Sequence, residues 1–423
     1  MLNRTLAPDF HAIEELTLIR PQEIVLENGC KIFSFNSGGQ ELVRLEWIFN
    51  NLGFNPASPL SNSTVNTLLT EGTSSRTTAQ IAAEIDFYGA FLQVECSADQ
   101  SQVTLYTLNR HLAATLPIVK DILTNSIFPD KEIETYVRNQ QQKLQVYLQK
   151  NDVLGRRTFN QALYKGTIYG YAPEADDYVH IKKVDLQLHF QQQYQPANCT
   201  LVVSGKVDES VLSLISDTFE DWQNTVTANF TQTEVAIAKG ELLIIEKPEA
   251  LQSAIRLGFS TINRTHPDFP GLQVLNTVLG GYFGSRLMAN IREDKGYTYG
   301  IGSAVASLKK TGTFFIATEV GVDVCREALQ EIEKEINLLK TVLISDEELA
   351  LVRNYMLGSL LGSLENVFSH ADKFKNLYFS GMDYDYYDLY TKTVQSITSA
   401  ELKNLANQYF DFDRFVKVIV GKY

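Results

Sequence analysis

Residues able to hold a metal ion are few in this chain, and none of them are grouped. The six histidines, His11, His111, His180, His189, His266 and His370, include no two that stand three or four apart, so no helix face can offer a histidine pair to a cation. The four cysteines, Cys30, Cys96, Cys199 and Cys325, are as dispersed and form no C-x-x-C, a usage consistent with a reducing compartment. Nucleophile motifs are missing too. There is no G-x-S-x-G elbow, and Gly300-Ile301-Gly302 lacks the third glycine and following helix of a dinucleotide loop. No apolar run approaches the roughly 18 residues that span a bilayer. Met1 to Asp9 has no signal-peptide core, so the expectation is a cytoplasmic chain with no membrane partner. Positive charge is also short: 37 Lys and Arg face 50 Asp and Glu, a net charge of −13, which argues against nucleic acid and favours neutral or basic peptides as partners.

What remains is an ordinary folded composition, with 44% hydrophobic and 21% charged residues in 423 positions, enough for two domains or more. The chain also repeats itself. Val184 to Val207 and Ser399 to Tyr423 each read as a polar helix ending in Gln-Tyr, a short break and an apolar strand closing on Gly-Lys, with Gly205 and Gly421 lying 216 residues apart. Val137-Arg138-Asn139 and Val352-Arg353-Asn354 fall in long helical stretches 215 apart. Two copies of one domain, 1–223 and 240–423, joined by a polar linker over 224–239, account for this. In the first copy, strands are expected at 23–26, 32–35, 43–50, 91–96, 102–108 and 200–204. Helices are expected at 62–69, 78–88, 113–125, 130–148 and 185–194. This is an α+β pattern, an antiparallel-rich sheet with helices on one face.

The most informative segment is LGGYFGSRLMANIREDKGYTYG, Leu279 to Gly300. A helix from Asp268 is expected to stop at Gly280 and Gly281, which tolerate φ > 0. Ser285 can cap a second helix, Arg286 to Glu293, and Asp294-Lys295-Gly296 turns into a strand beginning at Tyr297, whose hairpin partner is Phe314 to Ala317. Arg292 then leaves a helix end and Tyr299 the following strand. The run S-R-L-x4-R-E-x-x-G-x-x-Y resembles the second homologous half of the insulinase/pitrilysin family of zinc peptidases, which includes mitochondrial processing peptidase and its bacterial relatives. In that family an Arg and a Tyr seven residues apart reach a zinc site built by the first half or by a partner subunit; Arg292 and Tyr299 match. A guanidinium and a phenol can stabilise the oxyanion formed when water attacks a peptide carbonyl. The glycines at Gly280, Gly281 and Gly284 can let backbone approach a partner or substrate.

The family's H-x-x-E-H motif should stand in the first half. Leu68 to Thr77 resembles the family's M-L-F-K-G-T-x-x-R-T run, which places the motif at Ser63-Thr64-Val65-Asn66-Thr67. Ser63 and Thr67 replace the ligand histidines and Asn66 the general base, while Tyr136 and Lys143 fall at the two Glu positions downstream. The resemblance thus implies two α+β halves enclosing a chamber, no metal in this chain, and a non-catalytic subunit. Zinc is expected in a homologous partner of a heterodimer, with Arg292 and Tyr299 completing its site and unfolded peptide added as a strand to a sheet edge. Two identical chains could associate in isolation but would only duplicate the empty site. The other reading is a structural or peptide-binding subunit without a role in catalysis, like the respiratory-complex core proteins.

Overall fold

A computed structural model of the chain describes residues 16–224, 235–236 and 238–423; Met1 to Asp9 and most of the 224–239 linker lie outside the described residues. Two sheets carry the architecture. The first contains β1 (Gln22–Val25), β2 (Lys31–Asn36), β3 (Leu42–Asn50), β4 (Phe91–Cys96), β5 (Gln100–Leu108) and β6 (Cys199–Gly205), in the order β1-β2-β6-β3-β5-β4. The second contains β7 (Glu241–Glu246), β8 (Gln252–Thr261), β9 (Ile301–Ser307), β10 (Gly312–Gly321) and β11 (Val416–Gly421), in the order β7-β11-β8-β10-β9. Each has one parallel pair, β2 with β6 and β7 with β11, and is otherwise antiparallel. The central strand β6 is apolar and fully buried, while the edge strand β4 alternates exposed and half-buried residues, as sheet position dictates. Gly205 and Gly421 end matching strands at φ +127° and +138°. A Cβ there would meet Leu42 O at 2.1 Å or Ser253 Oγ at 2.6 Å, so only glycine fits.

The first half supplies α1 (Ser61–Leu68), α2 (Thr78–Phe87), α3 (Leu112–Asn125), α4 (Asp130–Tyr147), α5 (Asn151–Leu163), α6 (Ala175–Val179), α7 (Lys183–Gln193) and α8 (Glu209–Phe219). The second supplies α9 (Phe269–Asn276), α10 (Cys325–Thr341), α11 (Asp346–Gly362), α12 (Val367–Tyr378), α13 (Asp385–Ser396) and α14 (Ser399–Tyr409). Local chemistry fixes several starts. Thr77 with Gln80 and Thr398 with Glu401 form reciprocal capping boxes on α2 and α14, and Ser345 caps α11 ahead of three acidic residues in its first turn. Every strand and helix expected in the first half is present within two residues of its expected ends. Three helices there, α5, α6 and α8, were not expected.

Helices cover one face of each sheet, packed on cores centred on Trp47, Val103 and Leu201 in the first half and Leu257, Phe314 and Ile419 in the second. The opposite face is covered by a helix from the other half. Phe374 of α12 packs on Phe33 and Phe35 of the first sheet, ring centroids 4.7 and 5.5 Å apart, and Phe159 and Leu163 of α5 pack on Val416, Val418 and Val420 of the second. The two exchanged helices occupy equivalent positions in the repeat. Buried charge backs one contact: Arg44 and Glu46 of β3 meet Asp372 and Lys375 of α12, with Arg44 Nη2 3.0 Å from Glu46 Oε2 and 2.9 Å from Asp372 Oδ1, and Lys375 bonded to Glu46. Clefts of about 360 and 420 Å³ lie where the halves meet, each lined by residues of both.

Candidate functional site

The segment from Leu279 to Gly300 departs from the expected helix-stop-helix pattern. Instead of stopping at the glycine pair, α9 runs on as a π-helical turn, Thr277–Gly281, and none of Gly280, Gly281 and Gly284 takes φ > 0. Gly280 is buried for packing. A Cβ on it would sit 2.6 Å from Ser303 Oγ and 2.8 Å from Ser303 N, so the missing side chain lets the turn lie against β9. Gly281 and Gly284 stay nearer the surface, and a Cβ on Gly284 would meet the Tyr282 ring at 2.8 Å. Ser285 does not cap with its hydroxyl, which is buried without a partner; its carbonyl instead accepts from Ala289 N at 2.9 Å. The helix from Arg286 widens into a second π-turn, Met288–Asp294, where Lys295 N reaches back to Asn290 O at 3.0 Å. Such widened turns recur at functional sites.

Arg292 sits in that π-turn, half-buried, with its Cζ 4.7 Å from the centre of the Phe283 ring. No carboxylate pairs with it among the described residues. Cation–π stacking holds the guanidinium by its face and leaves its N–H groups unspent. Tyr299 lies in a loop rather than in the expected strand, since β9 begins at Ile301. The loop is nevertheless firmly held. Tyr297 N bonds Ile291 O at 3.0 Å, closing the turn between Arg292 and Tyr299, and Thr298 Oγ1 donates to Glu319 O at 2.7 Å while accepting from Gly300 N at 3.1 Å. Pinned on both sides, the loop leaves the Tyr299 side chain 94% exposed.

Residues not singled out in the sequence brace this arrangement. Arg286 makes a two-pronged pair with Glu348, both bonds 2.8 Å, and Asn290 donates to Glu331 at 2.9 Å and Glu335 at 2.7 Å. Phe283 is 65% exposed. An aromatic residue set between glycines is the signal that could have pointed to it, because nothing local can bury the ring.

The positions matching the zinc motif are built differently. Ser63 Oγ donates to Leu60 O at 3.1 Å and Thr67 Oγ1 to Ser63 O at 2.8 Å, so both hydroxyls are spent on the α1 main chain. Asn66 is buried and its Oδ1 accepts from Tyr194 OH at 3.0 Å, while Thr64 Oγ1 lies 3.4 Å from Tyr136 OH. Burial pushes both phenols upward, so they stay neutral. Lys143 is exposed on α4. Neutral hydroxyls, an amide and an ammonium do not fit a zinc ion, and no group of three or more His, Cys, Asp or Glu residues suited to a metal occurs among the described residues.

Residues 180–356, which include both π-turns and the Arg292 and Tyr299 pair, match the family model described as peptidase M16 inactive domain. Over this stretch the chain is similar to M16 peptidases. It is 24% identical over 316 residues to the uncharacterized zinc protease YmxG of Bacillus subtilis, covering 72% of this chain and 74% of that protein. It is 22% identical over 364 residues to the non-peptidase homolog YmxG of Helicobacter pylori, covering 84% and 82%. Among solved structures, a peptidase M16 inactive domain from Pseudomonas fluorescens superposes with a TM-score of 0.86 at 20% identity, over 95% of this chain and 98% of that one. The likeness to inactive and non-peptidase members agrees with motif positions in the first half that do not suit zinc. No helix among the described residues is long and apolar enough to cross a membrane.

Proposed function

We propose that this chain is the non-catalytic subunit of a heterodimeric zinc peptidase and that Arg292 and Tyr299 complete the active site of a homologous, zinc-bearing partner. The observation that carries the reading is that both residues stand on a braced segment while their side chains are chemically unspent. Arg292 has an aromatic hold and no counter-ion, and Tyr299 stands outside a loop pinned by Thr298. A stacked, uncompensated guanidinium and an exposed phenol contribute little to this chain's own stability; aimed at the oxyanion of an attacked peptide carbonyl, the two would lower the barrier. The substrate is extended peptide, and the free edge of β4, with Phe91, Gln93 and Glu95 outward, offers main-chain groups to which it can add as a strand.

The test is reconstitution with a homologue that carries H-x-x-E-H, followed by peptide hydrolysis. The chain alone should be inactive. In the complex, Arg292→Ala and Tyr299→Phe should each lower kcat on the order of 100-fold, the usual effect of removing one oxyanion donor, while KM and complex assembly change little. Full activity in both variants would refute the role of the pair and leave the structural, peptide-binding subunit as the reading.

A further inference from the structure

A cavity of about 370 Å³ opens beside the first π-turn, between β9, α11, α12 and α13. That volume falls in the range of small-ligand sites. Its lining is unusual for an acidic protein because it contains no carboxylate at all, while Lys373 stands in the wall. Lys373 makes no ion pair among the described residues. The neighbouring Asp372 is already engaged by Arg44 and Lys375, each at 2.9 Å. Burial holds the Lys373 ammonium below the ordinary lysine range despite the attraction of Asp372, and the charge of Arg264 lowers it further. Arg264 is itself short of partners, for it gives Nη1 to Asn376 O at 3.0 Å but keeps Nε buried and unbonded.

Further uncommitted donors line the same cavity. Asn276, 8% exposed, lines the cavity; its amide nitrogen, the donor, is bonded to nothing among the described residues, while its Oδ1, an acceptor, is sealed away from the cavity. The hydroxyls of Ser359, Tyr355 and Tyr390 in the same wall have no partner among the described residues either. Tyr390 is half-buried and Asn276 buried, while Ser359 and Tyr355 are exposed, so a ligand entering this cavity meets donors that no group among the described residues holds.

We propose that this cavity binds a carboxylate, with Lys373 as its counter-ion and Asn276 as a neutral donor. One lysine balances a monoanion but not a phosphate dianion, whose second charge would remain uncompensated in a partly buried site. A carboxylate can come from a free small acid or from the C-terminal residue of a peptide. Neither source requires a zinc-bearing partner, so the proposal stands apart from the oxyanion role of Arg292 and Tyr299.

Calorimetric titration of the isolated full chain tests it, using an N-acetyl amino acid and a hexapeptide, each with a free carboxylate and as the C-terminal amide. The acids should bind and the amides should bind at least tenfold more weakly. Lys373→Met should reduce the acids to the level of the amides, and Lys373→Arg should restore binding to within a few-fold. Binding of both acids identifies the terminal carboxylate as the epitope, and binding of the N-acetyl amino acid alone identifies a free small acid as the source. Equal binding of acid and amide, no binding of either acid at millimolar concentration, or unchanged affinity in a Lys373→Met protein with native circular dichroism would overturn the proposal.

Discussion

Lys375→Met probes the charge cluster that ties α12 to the first sheet. Arg44, Glu46, Asp372 and Lys375 form a neutral quartet in which Glu46 is 2% exposed and Lys375 16%. Removing the ammonium leaves a net negative charge with Glu46 still buried. Losing one partner of a buried pair costs about 3–5 kcal/mol. Arg44 at 3.0 Å and Gln102 Nε2 at 2.9 Å remain on Glu46, so the lower end, about 3 kcal/mol, applies. Both tryptophans, Trp47 and Trp222, lie in the core of the first half, so their emission follows the first half although the substituted residue belongs to the second. With a urea slope of about 3 kcal/mol/M the tryptophan-detected midpoint should fall by about 1 M. Adding Glu46→Gln restores neutrality and should recover more than half of the loss. A single-variant loss under about 1 kcal/mol, or a double variant equal to the sum of its singles, would refute the view that the four charges act as a unit.

Other perturbations have equally definite outcomes. Burial beside Gln193 pushes His189 from 6.5 down to about 4, so the folded chain holds it neutral. Its stabilisation is complete above the unfolded value and is lost as pH falls from 6.5 towards 4, on the order of 3 kcal/mol in all. His189→Gln should flatten the stability profile over that window, and parallel profiles for the two proteins would contradict the assignment. Gly205→Ala forces a Cβ to within 2.1 Å of Leu42 O at φ +127° and should cost at least about 2 kcal/mol in urea denaturation; a neutral result would mean that β3 can move aside. Tyr164 OH bonds Gly312 O at 2.9 Å across the halves, so Tyr164→Phe should cost about 1–2 kcal/mol by the same measurement, and no loss would show that water replaces the phenol.

Much of the fold was legible because the first half obeys local rules. Alternation marks β2 to β5, and the Thr77 box and the apolar spacing of α3 mark helices regardless of context. What escaped is what depends on distant residues. The apolar side of α5 faces Val416, Val418 and Val420 in the other half, so nothing near it in sequence announces a core. Gly280 and Gly281 were read as a stop, whereas the turn continues because Ser303, more than twenty residues away, needs the space. Tyr299 was read into a strand from its alternation with Tyr297, but the Thr298 hydroxyl takes the main-chain partners and holds the segment as a loop. For the site, the Arg and Tyr spacing was visible and the aromatic support under Arg292 was not, since cation–π contacts follow no fixed separation.

The exchange of α5 and α12 explains why a half without metal ligands is still required. Without the first half, the second sheet would lose Phe159 and Leu163 from the face formed by Val416, Val418 and Val420, at about 1.5–3 kcal/mol for each buried side chain. The same sheet supports β9 and β10, and β10 pins the Thr298 loop through Thr318 Oγ1, 3.0 Å from Thr298 Oγ1. The geometry around Tyr299 therefore rests on a sheet that the first half helps to cover. The motif positions on α1 carry no such burden. Their polar groups are satisfied within the first half, Asn66 by Tyr194 and the Ser63 and Thr67 hydroxyls by main-chain carbonyls. Imidazoles and a carboxylate can thus be absent there at no cost to the exchange that joins the halves. The α1 positions and the braces around Arg292 and Tyr299 share no bonds, so the support of that pair does not depend on what the zinc-motif positions hold.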